Sequence, residues 1–477
     1  MLIAFFDQNL STFKNHKAMK YIFTFIALLV AQIIFGQNRV QKIDSTLTAL
    51  HSRGKLNGNV LIAEKGEVIF KKSFGIANEE TKQMLNENSI FELASCSKQF
   101  TSMAIMILKE KGRLNLDDNI SKFIPELAFY KGITIRHLLN HTAGLPDYME
   151  IMDSIFNKSK IATNKDVVSI FAKKQPKTLF EPNSNYAYSN TGYALLAIII
   201  EKTSGETYAN FLQKAIFKPL KMKNTFVYTR RFAPKQVDNY AFGYVYSDSL
   251  INYLLPDNVE ETKMVIWLDG IVGDGCVNST VNDLLKWDRA LYTNKLLSKA
   301  GMKEIFKVAT LNDKSKTKYG FGWGIDDNPD YGKIVFHGGG WPGYVSYIER
   351  HIGNDKTIII LQNHNDVTIP VKSIRSILYN ESNLKSKGII LSKGQLQKCV
   401  GVYELNAAFQ IEIETQNDHL IAKTSGQPSV ELFAETESSF FIKEIDAQVV
   451  FNLETDGTVK SLTFSQGGKK MEGKKIR

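Results

Sequence analysis

Alternating apolar runs stand at both ends of a long stretch whose middle has helical periodicity, and this order restricts the fold more than any other feature. Residues 57–75 contain GNVLIAEKGEVIFKKSFG, two alternating runs around the turn Lys65-Gly66, the pattern of a β-hairpin. From Lys333 to Asn363 the runs KIVFH, GYVSYIERHI and KTIIILQN are separated by glycine-rich and Gly-Asn-Asp turns. Between the blocks, Phe100, Met103, Ala104, Ile107 and Leu108 recur at helix spacing, ended by Gly112. A second helix is predicted from Asn190 to Thr203, ended by Gly205, and a third from Ser279-Thr280 or Asn282 to about Tyr292. Strands early, helices in the middle and strands late predict an α+β domain: an antiparallel sheet built from both ends of the segment and flanked by helices.

After about residue 385 the texture changes. From Lys398 to Ile476 short β-type runs (VGVYEL, FQIEIET, HLIAKT, VELFAE and others) alternate with turns such as Gln416-Asn417-Asp418, Asp456-Gly457 and Gly467-Gly468. This spacing predicts a small all-β barrel or sandwich, joined through the polar stretch Asn380 to Gly388. It holds no concentration of Ser, His and acid. The expected division is 37–385 for a larger catalytic domain and 386–477 for a non-catalytic β domain.

The N-terminus reads as a targeting segment. From Met19 it runs MKYIFTFIALLVAQIIFGQ, with basic Lys20, an apolar core from Tyr21 to Phe35 and small Gly36. That is the layout of a signal peptide cleaved after Gly36, with residues 1–18 an upstream extension. A retained anchor is the rival, because the run approaches bilayer-spanning length. The reading implies an exported protein, periplasmic or extracellular, with no stable membrane anchor after cleavage. No cysteine follows the run to carry a lipid, and Cys96, Cys276 and Cys399 are too few and too odd in number for a disulfide framework. The net charge of +10 is scattered in pairs such as Lys71-Lys72 and Lys173-Lys174, without a basic run or nucleic-acid module, so no nucleic-acid partner is expected.

Hydrolysis of an amide or ester needs an activated nucleophile, a base and donors for the developing oxyanion. Ser95-Cys96-Ser97-Lys98 offers a hydroxyl at a helix start and an amine one turn along the same face. A partly desolvated lysine there loses its proton near neutral pH. The spacing alone says little, since it recurs at Ser11, Ser52, Ser315 and Ser382, and a capping serine is the ordinary explanation of a lone match. Ser95 differs because it opens a strongly amphipathic helix after an apolar approach through Phe91, Leu93 and Ala94. A second element, Tyr188-Ser189-Asn190, lies on the loop feeding the helix at Asn190, where nearby cations would favour the phenolate as a base. Tyr208 and Tyr292 share its spacing to an asparagine but read as helix packing and a helix end. The third element, His337-Gly338-Gly339-Gly340, closes the strand KIVF; its glycines allow close backbone approach and leave N–H groups for an oxyanion.

In order and context these three elements resemble the penicillin-recognising serine hydrolases, most closely the class C β-lactamase-like branch that includes DD-peptidases and esterases. ITIRHLLNHTAGLPDY (Ile133 to Tyr148), YGFGWGI (Tyr319 to Ile325) and HGGGWPGY (His337 to Tyr344) look like signatures of that branch. The match covers about residues 40 to 375, and the C-terminal section is similar to the barrel often appended there. The resemblance implies acylation of Ser95, general-base work shared by Lys98 and Tyr188, and substrate binding by Asn190, His337, Gly339 and Gly340. The backbone N–H groups of Ser95 and Gly340 would form the oxyanion hole. It implies a small-molecule or peptide amide or ester substrate and no cofactor. A catalytically impaired penicillin-binding or sensor protein is the alternative.

One departure weighs on specificity. His337 stands where the family commonly has lysine, and the residues after it supply no hydroxyl, so the usual grip on a β-lactam carboxylate is missing. Peptidase or esterase action is favoured over β-lactamase action, with a histidine ionisation near its ordinary ~6.5 expected to shape the pH profile. His137 and His141, four apart, could form a metal pair, but Leu138 follows His137 where a zinc-peptidase motif has glutamate, and no third ligand is evident. No metal site is expected.

Overall fold

The hairpin turn forms with Lys65 and Gly66 both at positive φ (51° and 81°), the geometry that matches the twist of tightly linked strands. It joins β1 (Gly58–Glu64) to β2 (Glu67–Phe74). The late block supplies β3 (Gly324–Asn328), β4 (Gly332–Trp341), β5 (Tyr344–His351) and β6 (Lys356–Gln362). The antiparallel sheet runs β3-β4-β5-β6-β1-β2, with Val60 opposite Ile360 on one side and Lys72 on the other. The two ends of the segment therefore meet at the β6–β1 seam, as the order of periodicities predicts. The structure is a computed structural model that describes residues 39–379, 389, 391–406, 409–416, 419–424, 429–442, 447–454, 456–466 and 469–477. The proposed signal peptide, the joining stretch 380–388 and the turn residues Asn417-Asp418 and Gly467-Gly468 lie outside them.

Between sheet and helices lies a core that includes Leu61, Leu93, Phe100, Leu139, Leu196, Trp287, Trp323 and Ile359. At its centre runs α1 (Lys98–Glu110), buried at every position from Lys98 to Leu108. The sequence suggests an amphipathic helix with a wet face. Instead its polar residues find partners inside: Gln99 Oε1 accepts from Trp287 Nε1 at 2.9 Å while its Nε2 has no hydrogen-bond partner among the described residues, Thr101 bonds the Tyr208 hydroxyl at 2.7 Å, and Ser102 that of Tyr193 at 3.0 Å. Paired in this way, polar groups can be buried without the full desolvation cost.

Three further helices have well-defined caps. α2 (Ile135–Leu139) is capped by Thr134, whose backbone N–H donates to His137 Nδ1 at 3.3 Å. α3 (Tyr148–Ile155) is capped by Asp147, and α4 (Asn190–Ser204) by Ser189, with Gly205 left-handed at its end. α2 stops at Leu139 and His141 sits at φ 61°, so His137 and His141 do not share a helix face. Among the described residues no group of three or more His, Cys, Asp or Glu could hold a metal.

The C-terminal strands form a closed barrel of eight, β7 to β14: Gly401–Asn406, Phe409–Gln416, His419–Thr424, Val430–Ala434, Ser439–Phe441, Ala447–Leu453, Val459–Gln466 and Lys469–Lys475. The first closes on the last through Tyr403 opposite Lys475. Tyr403, Ile413, Leu420, Leu432, Phe440, Phe451 and Leu462 fill its interior. The chain divides into two compact units, 47–369 and the described residues of 1–46 with 370–477.

Candidate active site

The Ser95 turn is built under constraint. The short strand Phe91–Glu92 pairs with Val277–Ser279, and Leu93 N–H donates to Val277 O at 2.8 Å. Ala94 then adopts φ 45°, a conformation that costs a non-glycine residue energy and turns the chain sharply into the 3-10 segment Ala94–Ser97. Cys96, Ser97 and Lys98 point inward, while Ser95 stays half-exposed at the head of α1. Ser97 accepts from Val277 N–H at 3.0 Å, and Ser346 donates to Leu93 O at 2.6 Å. β4 presses against this turn at Gly339, where a Cβ would stand 2.3 Å from Leu93 O and Ser346 Oγ and 3.1 Å from Ser95 N.

Lys98 is fully buried, and its Nζ donates to Ser95 Oγ at 3.2 Å, Asn190 Oδ1 at 2.9 Å and the Asp274 carbonyl at 2.9 Å. Burial lowers its ionisation to about 8, against the opposing fields of Asp274 and Asp147. An amine held there is partly neutral at physiological pH and lies within reach of the hydroxyl's proton.

Tyr188 is the last loop residue before the α4 cap and keeps 41% of its surface exposed. Its ring lies 4.9 Å from Lys98 Nζ and 4.3 Å, centroid to centroid, from His141. The expectation that cations favour its phenolate is corrected: desolvation, aided by Asp274 and Asp147, outweighs a Ser95 hydrogen bond and pushes the phenol well above its usual range. Tyr188 is thus a protonated donor beside Ser95 and Lys98. Asn190 is fixed at both ends, with Oδ1 on Lys98 and Nδ2 donating to Asp147 Oδ2 at 2.9 Å.

His337 lies buried on β4, 6.2 Å from the Tyr188 ring. Its Nδ1 faces the Gly338 carbonyl at 2.6 Å, which can only accept, so Nδ1 carries the proton. Nε2 accepts from the Tyr319 hydroxyl at 2.7 Å. Burial and the Lys98 charge push His337 down to about 3, which overturns the expected ionisation near 6.5. β3 pairs with β4 only across Gly332–Phe336, so on that side His337–Trp341 form an edge without a strand partner among the described residues. Gly340 is on this edge, with open space where a Cβ would project.

The structure therefore brings Ser95, Lys98, Tyr188, Asn190, His337 and Gly339 close together, with Gly340 on the adjoining strand edge. Four more residues belong to the arrangement. Tyr319 and Asp147 lie inside the signature segments but were not read for chemistry, and His141 was weighed only as a metal ligand. Asp274, in Gly-Asp-Gly-Cys, gives no periodic signal; its buried carboxyl accepts from Tyr148 OH at 2.9 Å while its carbonyl holds Lys98. His141 accepts from Ser189 N–H at 3.1 Å and packs on Tyr188 and Tyr319, bracing the loop that carries Tyr188.

The sequence profile of the family described as Beta-lactamase matches residues 42–373. The chain belongs to the β-lactamase family. A domain of unknown function, DUF3471, matches residues 386–475. This β-lactamase-family chain is 40% identical over 443 residues to penicillin-binding protein 4* of Bacillus subtilis (strain 168), covering 90% of the chain and 98% of that protein. Among solved structures, the octameric penicillin-binding protein homologue from Pyrococcus abyssi superposes with a TM-score of 0.63 at 23% identity, over 91% of this chain and 99% of that one. The D-amino acid amidase from Ochrobactrum anthropi SV3, solved with L-phenylalanine amide, gives 0.57 at 25% identity, over 73% and 99%.

Proposed function

We propose that this β-lactamase-family protein is a serine hydrolase that opens amide or ester carbonyls through an acyl-enzyme on Ser95. The observation that carries the reading is the buried Lys98 amine, shifted to about 8 and 3.2 Å from Ser95 Oγ. In the proposed sequence neutral Lys98 takes the Ser95 proton as Oγ attacks the carbonyl carbon. Oxyanion charge is received by the N–H groups of Ser95 and Gly340. As the scissile bond breaks, the protonated Tyr188 gives its proton to the leaving amine or alkoxide and regains one from Lys98. Water then attacks the acyl carbon by the same route in reverse, returning the proton to Ser95. Asn190 binds the substrate's amide, and the unpaired edge His337–Trp341 suits an extended substrate.

Peptidase or esterase action is favoured over β-lactamase action, because a neutral His337 supplies no fixed charge for a carboxylate. The substrate is a small-molecule or peptide amide or ester. The barrel of 386–477 is proposed as a separate non-catalytic domain beside a catalytic 37–385. The N-terminal basic and apolar run supports export to a periplasmic or extracellular location.

Intact-mass measurement after exposure to a fluorophosphonate and to a penicillin tests the reading. Wild type should gain one adduct at Ser95, and Ser95→Ala none. An adduct that survives in Ser95→Ala, or maps to another residue, would sink the assignment.

A further inference from the structure

Lys98 is a base only when neutral, so whatever holds its proton decides when Ser95 can react. Its ammonium is met by groups from several elements. In the turn before α1 the Cys96 thiol is pushed up to about 12 by burial and carries no charge. The Tyr188 ring of the loop before α4 lies 4.9 Å from Nζ and the Tyr193 ring of α4 5.5 Å, and burial raises both phenols well above their usual range. His141 and His337 are held well below their usual range by burial and by the Lys98 charge, and are neutral. The acids acting on Lys98 are Asp274 and Asp147.

The fold fixes Asp274 against the helix that carries Lys98. Gly273 before it has φ 106°, and a Cβ there would stand 2.4 Å from Tyr193 O and 2.7 Å from Ala197 Cβ, both on α4. Thr101 of α1 donates to Gly273 O at 2.5 Å, and Lys98 Nζ donates to Asp274 O at 2.9 Å. The segment is thus held by α1 and α4 together, with Asp274 only 6% exposed. Its Oδ2 accepts from Tyr148 OH at 2.9 Å. Burial raises the carboxyl's ionisation, and Lys98 is the charge that opposes this rise. The other titratable groups facing Asp274 are Asp147, the Cys276 thiol, kept protonated by burial, and Glu92, which burial lifts to about 7. Asp147 is half-exposed, where water screens its field.

We propose that Asp274 is a positioning residue for the Ser95 reaction: its carboxylate, held by Tyr148, is the buried counter-charge that sets how readily Lys98 gives up its proton. The inference rests on Lys98 acting as the base for Ser95. Asp274 itself touches neither the substrate nor the reacting hydroxyl; it acts through Lys98. A buried opposite charge favours the ammonium far more than a screened one does, so Asp274 outweighs Asp147 in placing the pH at which the enzyme switches on.

The test records kcat/KM against pH on a neutral ester for wild type, Asp274→Asn, Asp274→Ala and Asp147→Asn. Asparagine keeps the shape of Asp274 and an acceptor for Tyr148 while removing the charge. Without that charge the ammonium is disfavoured further, so the limb near 8 should move about one pH unit toward acid in Asp274→Asn. At pH 6 the variant should then retain about tenfold more of its own plateau rate than wild type does. Asp274→Ala should show the same direction, which keeps the test decisive if the asparagine variant does not fold. Asp147→Asn should move the limb less. A limb unmoved in the folded Asp274 variants, or moved as far by Asp147→Asn, overturns the inference, and so does a lowered plateau with the limb in place, the mark of a packing role alone. Fluorophosphonate labelling of the same samples separates the two levels. Labelled wild-type Ser95 with superimposable limbs removes only the role of Asp274, whereas unlabelled wild-type Ser95 removes the hydrolase reading and that role with it.

Discussion

Tyr319 donates its hydroxyl to Nε2 of His337 across 2.7 Å, a bond that the protonated ring, a donor at both nitrogens, could not accept. Replacing Tyr319 with Phe removes a partner of the neutral form, so the His337 ionisation should rise from its depressed position near 3. Protonation would then move toward the working range, and kcat/KM of Tyr319→Phe should fall more steeply on the acid side than the Lys98 limb of wild type. Profiles recorded down to pH 4 on a neutral ester would show it; superimposable acid limbs would detach Tyr319 from the state of His337.

Lys98 sets the other limb. Its ammonium is disfavoured by burial, so the neutral amine accumulates as pH rises through about 8. kcat/KM, which reports ionisations of the free enzyme, should therefore climb toward a plateau above that pH. Lys98→Ala should lower it by about a thousandfold and flatten the climb. A wild-type limb near 6.5 that disappears in His337→Ala would contradict both assignments.

These two ionisations mark where the sequence stopped informing. Ser95 and Lys98 were legible because the chain places them at the start of a helix after an apolar approach, a local pattern. The sheet was legible because period-2 alternation survives at both ends of the segment. The state of His337 depends on its burial and on Lys98, and that of Tyr188 on desolvation, Asp274 and Asp147, surroundings set by folding rather than by spacing. The all-round burial of α1 was hidden for the same reason: Gln99, Thr101 and Ser102 look like a wet face until Trp287, Tyr208 and Tyr193 arrive from elsewhere. Barrel and sandwich were indistinguishable until the first and last strands paired at Tyr403 and Lys475.

Ser97 should matter for stability and little for chemistry. It is fully buried, and its hydroxyl satisfies the Val277 N–H beside the Ser95 turn. Ser97→Ala leaves that donor unpaired, at a cost of about 1–3 kcal/mol, so Tm should fall while Ser95 is still labelled. Unchanged melting, or loss of labelling in a folded variant, would contradict this division of roles.

The two domain cores share no residue, since one draws on Leu61 to Leu361 and the other on Leu391 to Leu462. A chain ending at residue 385 should therefore fold cooperatively and keep fluorophosphonate labelling within a factor of a few. An insoluble product, or a folded one that cannot be acylated, would make the barrel part of the catalytic unit.

The glycines of the β4 edge provide the most discriminating pair of substitutions. At Gly339 a methyl group would stand 2.3 Å from both Leu93 O and Ser346 Oγ. Leu93 O is backbone and is held there by Ser346, so relief requires β4 and the Ser95 turn to part. At Gly340 the same methyl meets nothing within 4 Å, and alanine keeps the N–H assigned to the oxyanion. Reacting groups displaced by an ångström lose about a hundredfold in rate, so Gly339→Ala should lower kcat/KM by at least that much. Gly340→Ala should remain within about tenfold of wild type, because it disturbs neither spacing nor donor. Ester kinetics and melting curves on both variants decide the matter. Two equally impaired enzymes would show that the edge needs glycine for flexibility; an active Gly339→Ala would show that Ser95 does not depend on close approach of this strand.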